Sequence, residues 1–227
     1  MIGHGGMIKA IRAVPTRRAA MERVMKAVRT QLMIAAVAGS LVTAFAGSAV
    51  AQIGPDSEKF LDAVEKQRSD EVIELVTKNG RAIINVRGYS GATPLTTAMR
   101  RRSTQYVLYL LENGADPNLA ERNGETALLI AARLGYAEGV SAMLGAKASV
   151  DATNRQGETA LIVAVQNRHV QIVKRLLEAG ASPSRTDSAS GLSARDYAAR
   201  DRRSTEILRL IDQVKKKPVF EAGPILR

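Results

Sequence analysis

The chain has 227 residues, of which 45% are hydrophobic and 4% aromatic, which is enough for one packed domain with added segments. It contains no cysteine, which excludes a disulfide framework, a thiolate metal site and a cysteine nucleophile. The formal net charge of +11 would favour a polyanionic partner, but seven basic residues and one acidic residue lie in residues 1–51, leaving 26 basic and 21 acidic residues elsewhere.

The amino-terminal segment has the order of a secretory signal peptide. Residues 1–31 are basic, residues 32–46 carry no charge, and small residues follow at 47–51. A basic region, a short apolar core and a small-residue cleavage site in this order indicate export. We therefore expect residues 1–51 to be a signal peptide that is cleaved between Ala51 and Gln52, with a short linker at 52–58.

Two features of this segment leave alternatives open. The basic stretch is long for a signal peptide, and Met21 or Met25 would give a more usual start. The apolar stretch 32–51 is also close to the ~20 residues that span a bilayer. We favour cleavage, and the alternative is that this stretch is retained as a membrane anchor.

Glycines recur at a fixed interval through the rest of the chain. Gly91, Gly124, Gly157 and Gly191 are separated by 33, 33 and 34 residues, and similar segments follow them: GATPLTTAMRR, GETALLIAARL, GETALIVAVQN and GLSARDYAARD. Self-similarity at such a period predicts stacked helical repeats, each of which cannot bury its apolar face alone.

The residue types within each repeat suit a turn followed by two helices. The recurrent glycines suit turns with positive φ, the hydroxyls of Thr93, Thr126 and Thr159 suit helix N-caps, and Pro94 suits a first helical position. Apolar residues at helical spacing are expected to face the core. In the first helices these are Leu95, Ala98, Met99, Leu128, Ala131, Ala132, Leu161, Ala164 and Val165, and in the second helices Val107, Leu110, Leu111, Val140, Met143, Leu144, Ile172, Val173, Leu176 and Leu177.

The pattern G-x-T-P-L at residues 91–95, followed by L-L-x-x-G-A-D-x-N at residues 110–118, resembles the ankyrin family, and the resemblance extends from about Phe60 to Asp212. It implies an all-α solenoid of helix-turn-helix units in a domain at 59–212, with a basic tail at 213–227. About five repeats are expected, including atypical terminal caps, near residues 59–90, 91–123, 124–156, 157–190 and 191–212.

Two departures from the family pattern predict local differences in structure. The family often has His after T-P-L, whereas the equivalent positions here are Thr96, Leu129, Ile162 and Asp196, so its polar network is absent or rebuilt. Lys147 stands where Gly114 and Gly180 end the second helix of other repeats. Because a side chain in the left-handed conformation costs about 1 kcal/mol, we expect a rearranged loop and a local weak spot there.

The sequence offers little catalytic or ligand chemistry. His4 lies in the predicted signal peptide, and His169 stands at a position where the family commonly has His. One histidine without neighbouring ligands does not form a metal site, and no nucleotide-binding or nucleophile motif occurs in the repeats. We therefore predict no enzymatic activity, no cofactor and no metal.

Equivalent residues of stacked repeats form rows along a solenoid, and these rows supply the candidate protein-binding residues. One set, the first-helix row, lies nine residues after each turn glycine and consists of Arg100, Arg133, Gln166 and Arg200. The other set lies on the turns that contain these glycines, called the fingertips, and consists of Arg87, Tyr89, Arg122, Asn123 and Arg155, with Glu121, Asn154 and Gln156 beside them. A row of guanidinium groups favours a partner with an acidic surface. The alternative is that arginine is merely a soluble choice at these positions.

The resemblance implies a module that binds a partner protein through its fingertips and concave face. Together with the export signal, it predicts a periplasmic or secreted protein, the alternative being a membrane-anchored adaptor that retains residues 32–51. Nucleic acid is not expected as a partner, because aromatic residues are few and the charge outside residues 1–51 is modest. The sequence leaves the partner's identity and the oligomeric state open.

Overall fold

The computed structural model describes residues 54–216, with side chains for residues 55–213. The predicted signal peptide, the cleavage site at Ala51 and Gln52, and the end of the predicted tail lie outside these residues. Within the described part of the chain, no helix combines the length and the apolar character that crossing a membrane requires.

Residues 54–216 fold into ten α-helices and two short 3-10 helices, Gly80–Asn85 and Arg202–Ser204. The α-helices, in chain order, are α1 (Gly54–Glu65), α2 (Ser69–Asn79), α3 (Pro94–Arg100), α4 (Thr104–Glu112), α5 (Ala127–Leu134), α6 (Ala137–Gly145), α7 (Ala160–Gln166), α8 (Val170–Glu178), α9 (Ala194–Arg200) and α10 (Thr205–Lys216). They form five consecutive pairs, so the predicted all-α solenoid of five units is confirmed.

The first helices of the five pairs form one layer and the second helices form another. In the first layer α1, α3, α5, α7 and α9 each pack against the next, and in the second layer α4, α6, α8 and α10 do the same. Each repeat therefore contacts mainly its neighbours, as expected for a solenoid.

Small and large apolar residues alternate between these layers. Ala98, Ala131, Ala164 and Ala198 occupy equivalent positions in successive first helices and are at most 2% exposed, so the helices can approach closely. Leu110, Met143 and Leu176, the equivalent residues of the second helices, are fully buried and contribute roughly 2 kcal/mol each. Two residues that we predicted to be in the core, Leu111 and Leu144, are only partly buried at its edge.

Hydroxyl groups start the first helix of each complete repeat. The side chains of Thr93, Thr126 and Thr159 accept a hydrogen bond from the backbone NH three residues later, which confirms the predicted N-caps. Ser193, which the sequence analysis did not identify as a cap, does the same for α9. Such caps stabilise a helix by about 1 kcal/mol each.

At the position where the family often has His, Thr96 and Asp196 form polar contacts of their own. Thr96 Oγ1 accepts a hydrogen bond of 2.9 Å from the Thr93 NH, and Asp196 Oδ2 accepts one of 3.0 Å from the Ser193 NH. Both contacts complete a capping box. In the two central repeats, Leu129 and the equivalent isoleucine are buried instead.

Lys147 does adopt the left-handed conformation, with φ +59°, but the expectation of a rearranged loop is wrong. The Lys147 NH bonds to Leu144 O at 3.0 Å and the following NH bonds to Met143 O at 3.0 Å. The helix ends at Gly114 and Gly180 have the same two bonds. The hydrogen bonds of this helix end therefore hold Lys147 in the geometry that glycine adopts elsewhere.

Both ends of the domain are longer than predicted. The first helix begins at Gly54, within the predicted linker 52–58, and Ser57 is already buried beside Phe60. The last helix continues to Lys216, past the predicted boundary at residue 212. Ile207 and Ile211, four residues apart, are buried on one face of α10, which packs against α8 and α9.

Candidate functional site

The turns between repeats form a row, and backbone hydrogen bonds join the turns at Gly124, Gly157 and Gly191 to one another. In the turn before α5, the Glu121 NH donates to Glu125 O at 2.8 Å. Adjacent turns are joined because the Arg155 NH donates to Asn123 O at 3.0 Å and the Ser188 NH donates to Gln156 O at 2.7 Å. The fingertip residues therefore project from a fixed backbone.

Two polar side chains in this row are structural. Asn154, which the sequence analysis placed among the fingertips, is only 6% exposed, and its Oδ1 accepts from the NH groups of Gln156 and Glu158, both at 3.0 Å. Asp187 is 4% exposed and accepts a 2.6 Å hydrogen bond from the Tyr197 hydroxyl. That bond, together with backbone NH donors, outweighs burial and holds the pKa of Asp187 below its ordinary value.

The other fingertip candidates lie on the surface. Tyr89 is 77% exposed, and Arg122 and Arg155, which occupy the equivalent position two residues before the turn glycine, are exposed as well. The aliphatic part of the Arg122 side chain lies across Gly91, which anchors its base while its guanidinium group faces solvent. Arg87 and Asn123 are also exposed on these turns.

Arg100 and Arg133, from the predicted first-helix row, are engaged in internal ion pairs. Arg100 donates two hydrogen bonds to Glu121, at 2.5 Å from Nη1 to Oε1 and 2.7 Å from Nη2 to Oε2. Arg133 donates to Glu125 at 2.8 Å and to Glu158 at 3.2 Å from Nη2. With Arg100 also 3.7 Å from Glu125, these pairs form a chain of alternating charge across three repeats.

The ion pairs around Glu121 favour its charged form. Burial raises its pKa, but the hydrogen bonds from Arg100 and Thr96 outweigh burial and hold the pKa of Glu121 below its usual range. The remaining members of the first-helix row, Gln166 and Arg200, are exposed at the ends of α7 and α9. That the whole row forms a docking face stays a prediction.

The glutamates that pair with Arg100 and Arg133 are functional candidates that the sequence analysis did not recognise as a set. Glu125 and Glu158 directly follow a turn glycine, and each arginine lies nine residues after such a glycine. The repeated G-E-T pattern was therefore the available signal, since residues at equivalent positions of neighbouring repeats lie side by side.

His169 has a structural environment. Its Nε2 lies 3.3 Å from Arg133 O, and its ring covers Gly135 at the end of α5. Over residues 54–216, no three His, Asp or Glu side chains are grouped so as to hold a metal ion.

Comparison with known proteins agrees with this geometry. The family model for ankyrin repeats, in three copies, matches residues 60–154 and 114–187, which together make up more than half of the chain. No curated protein matches the chain. Ankyrin repeats generally mediate protein–protein interactions and are typically non-enzymatic binding modules.

Proposed function

The chain belongs to the ankyrin-repeat family, and from this premise we propose that it is a non-enzymatic module that binds a partner protein outside the cytoplasm. It binds through the fingertip turns and the face that the first helices share. Fold alone does not establish a function, so the proposal rests on the surface of this chain.

The observation that carries the proposal is the row of exposed side chains on a backbone held by hydrogen bonds. Tyr89 and Arg122 project from turns whose backbone is already paired. A surface that needs no ordering before binding loses little conformational entropy when a partner docks. The exposed arginines favour a partner with an acidic surface.

The export part of the proposal rests on the order of residues in 1–51. A basic stretch, an apolar core and small residues before Gln52 suit cleavage and release into the periplasm or the medium. The alternative is a membrane-anchored adaptor that keeps residues 32–51. The intact mass of the protein in each cell fraction separates the two, because only the anchored form would retain those residues in the membrane fraction.

We expect the protein to retain a partner from the soluble extracytoplasmic fraction, and to lose it when the fingertips change. The test is a pull-down with the wild-type chain and with a variant carrying Arg87→Ala, Tyr89→Ala and Asn123→Ala, followed by mass spectrometry. These side chains are exposed, but Asn123 Oδ1 also accepts a 3.0 Å hydrogen bond from the Glu125 NH in the turn, so circular dichroism and thermal melting check that the variant folds.

A matched control replaces Leu108, Gln171 and Lys174 by alanine, because these side chains are exposed on the second helices and their loss changes the net charge by the same amount. It should retain the partner as the wild type does. Failure of the wild type to retain any partner in that fraction, or equal retention by the fingertip variant, would contradict the proposed function.

A further inference from the structure

We propose that Tyr89, Arg122 and Arg155, together called the free row, are the docking site for an extended acidic segment of the partner polypeptide. This inference rests on the proposed function and specifies which residues of the binding surface carry it and what chemistry they recognise. The three residues are equivalent in successive turns, two positions before Gly91 and its counterparts.

The structure separates the basic residues of this surface into two groups. Arg100 and Arg133 face carboxylates that are only 9–19% exposed, so their charge is compensated within the chain. Arg122 and Arg155 are exposed and form no ion pair within the described residues. Of these four arginines, only Arg122 and Arg155 therefore offer uncompensated charge to incoming carboxylates, and Arg87 and Arg200 are exposed as well.

Glutamates close to the free row do not cancel its charge. Glu121, which precedes Arg122 in the chain, directs both carboxylate oxygens to Arg100. Glu125 is held by Arg133. Glu121 and Glu125 are thus directed to the first-helix row, whereas Glu58 accepts a 2.6 Å hydrogen bond from the Tyr89 NH at the first turn. The guanidinium groups of Arg122 and Arg155 keep their donors for a ligand.

Spacing indicates the form of the ligand. Equivalent residues of stacked repeats lie about one helix-packing distance apart, roughly 8–10 Å. A polypeptide in the extended polyproline II conformation has three residues per turn and advances about 3.1 Å per residue, so side chains three residues apart lie on the same side about 9 Å apart and match this interval. A segment with Glu or Asp at every third position could therefore place one carboxylate on Arg122 and the next on Arg155, each in a bidentate pair.

Tyr89 is the first residue of the free row and therefore lies at one end of the site. It is one of two large apolar or aromatic side chains that stay exposed in the described residues, the other being Leu108 on α4. Tyrosine and arginine are the side chains that most often dominate binding energy at interfaces. A tyrosine beside two arginines therefore suits a polypeptide that offers an apolar group next to its carboxylates.

The test measures the binding of a defined peptide to the full chain by fluorescence anisotropy at low salt. The probe is a labelled, blocked 12-residue peptide with Leu at one end and Glu at every third position, separated by Gly and Ser. We expect saturable binding that weakens as salt rises, and weaker binding of a peptide of equal composition whose glutamates are contiguous.

The variant Arg122→Glu with Arg155→Glu should bind the probe about tenfold more weakly, because two attractive contacts become repulsive. The control Lys174→Glu with Arg209→Glu has the same change in net charge on exposed residues of α8 and α10, and should bind within about twofold of the wild type. Thermal melting establishes that both variants fold.

An equal loss of affinity for the peptide in the two variants, or no loss in either, would overturn the inference. So would a 12-nucleotide single-stranded DNA that binds the wild type as tightly as the peptide, since the surface would then recognise any polyanion. If the wild type retains a natural partner but the free-row variant retains it equally, only this inference fails. If the wild type retains no partner, the proposed function fails as well.

Discussion

Among the described residues, four with side chains adopt left-handed backbone conformations: Gln67, Arg102, Lys147 and Arg168. Three of them end a first helix, at the position where Gly135 ends α5. The fourth ends α6. The repeat geometry thus imposes a conformation that suits glycine, and the sequence meets it with glycine at some helix ends and not at others.

Replacing Lys147 by glycine should stabilise the protein. The hydrogen bonds at this helix end match those at Gly114 and Gly180, so the change relieves backbone strain without loss of a contact. Strain relief exceeds the greater freedom of glycine in the unfolded chain by about 0.5–1 kcal/mol. We expect the melting temperature to rise by about 1–4 °C, measured by calorimetry.

The reciprocal change provides the control for Lys147→Gly. Gly114 has φ +91° and no neighbour that would touch a Cβ at closer than 4.0 Å, so Gly114→Ala introduces strain alone and should lower the melting temperature. A fall in melting temperature for Lys147→Gly would show that the lysine side chain contributes more than its backbone conformation costs.

At the scale of elements, α6 contains two glycines with opposite roles. A Cβ at Gly139 would lie 2.5 Å from Met99 Sδ and would also collide with the Tyr136 ring. A Cβ at Gly145 would meet nothing within 4 Å. The first glycine leaves room for the Met99 side chain and the Tyr136 ring, whereas the second is merely a poor helix former.

Alanine at these two positions should therefore change stability in opposite directions. Helix propensity favours alanine by about 1 kcal/mol at either site, but overpacking at Gly139 costs roughly 1–3 kcal/mol. We expect Gly139→Ala to be destabilising by about 1 kcal/mol, and Gly145→Ala to be neutral or stabilising by up to about 1 kcal/mol. Urea unfolding measures both, and stabilisation by Gly139→Ala would contradict the packing argument.

The elements were predictable from the sequence where the repeat period applied, and less so where it ended. Thr93 and Gly91 belong to a motif that recurs, so each copy supported the others. The first turn of α1 and the last turn of α10 have no repeated counterpart, and the start of α1 coincides with burial of Ser57. Such burial leaves no periodic signal in a single sequence.

At the scale of the whole molecule, the ion-pair chain links repeats that the apolar core also joins. It runs from Glu121 through Arg100, Glu125 and Arg133 to Glu158. The sequence showed these charges but not their pairing, because the partners lie up to 25 residues apart and meet only when the repeats stack. The same stacking leaves Arg122 unpaired, which is why the sequence could not separate the two groups of arginines.

Neutralising Glu121 should reveal the contribution of this chain through its pH dependence. The pKa of Glu121 is lowered in the folded protein, so its stabilising effect is complete above the unfolded pKa of about 4.3 and is lost as the pH falls through the folded pKa. Because Arg100 is 42% exposed, solvent screens the pair. We expect Glu121→Gln to lower the free energy of unfolding by about 1 kcal/mol at pH 7.

That deficit should shrink as the pH falls through the unfolded pKa towards the folded pKa of Glu121, because the wild-type carboxylate becomes protonated and then resembles the amide. Urea unfolding of both proteins at pH 7, 5 and 3 measures it. Glu178→Gln is the matched control, because Glu178 is exposed at the end of α8 and its change should be small at every pH. A deficit for Glu121→Gln that is as large at pH 3 as at pH 7 would mean that the side chain stabilises the stack through packing, and that the ion pairs between repeats contribute little.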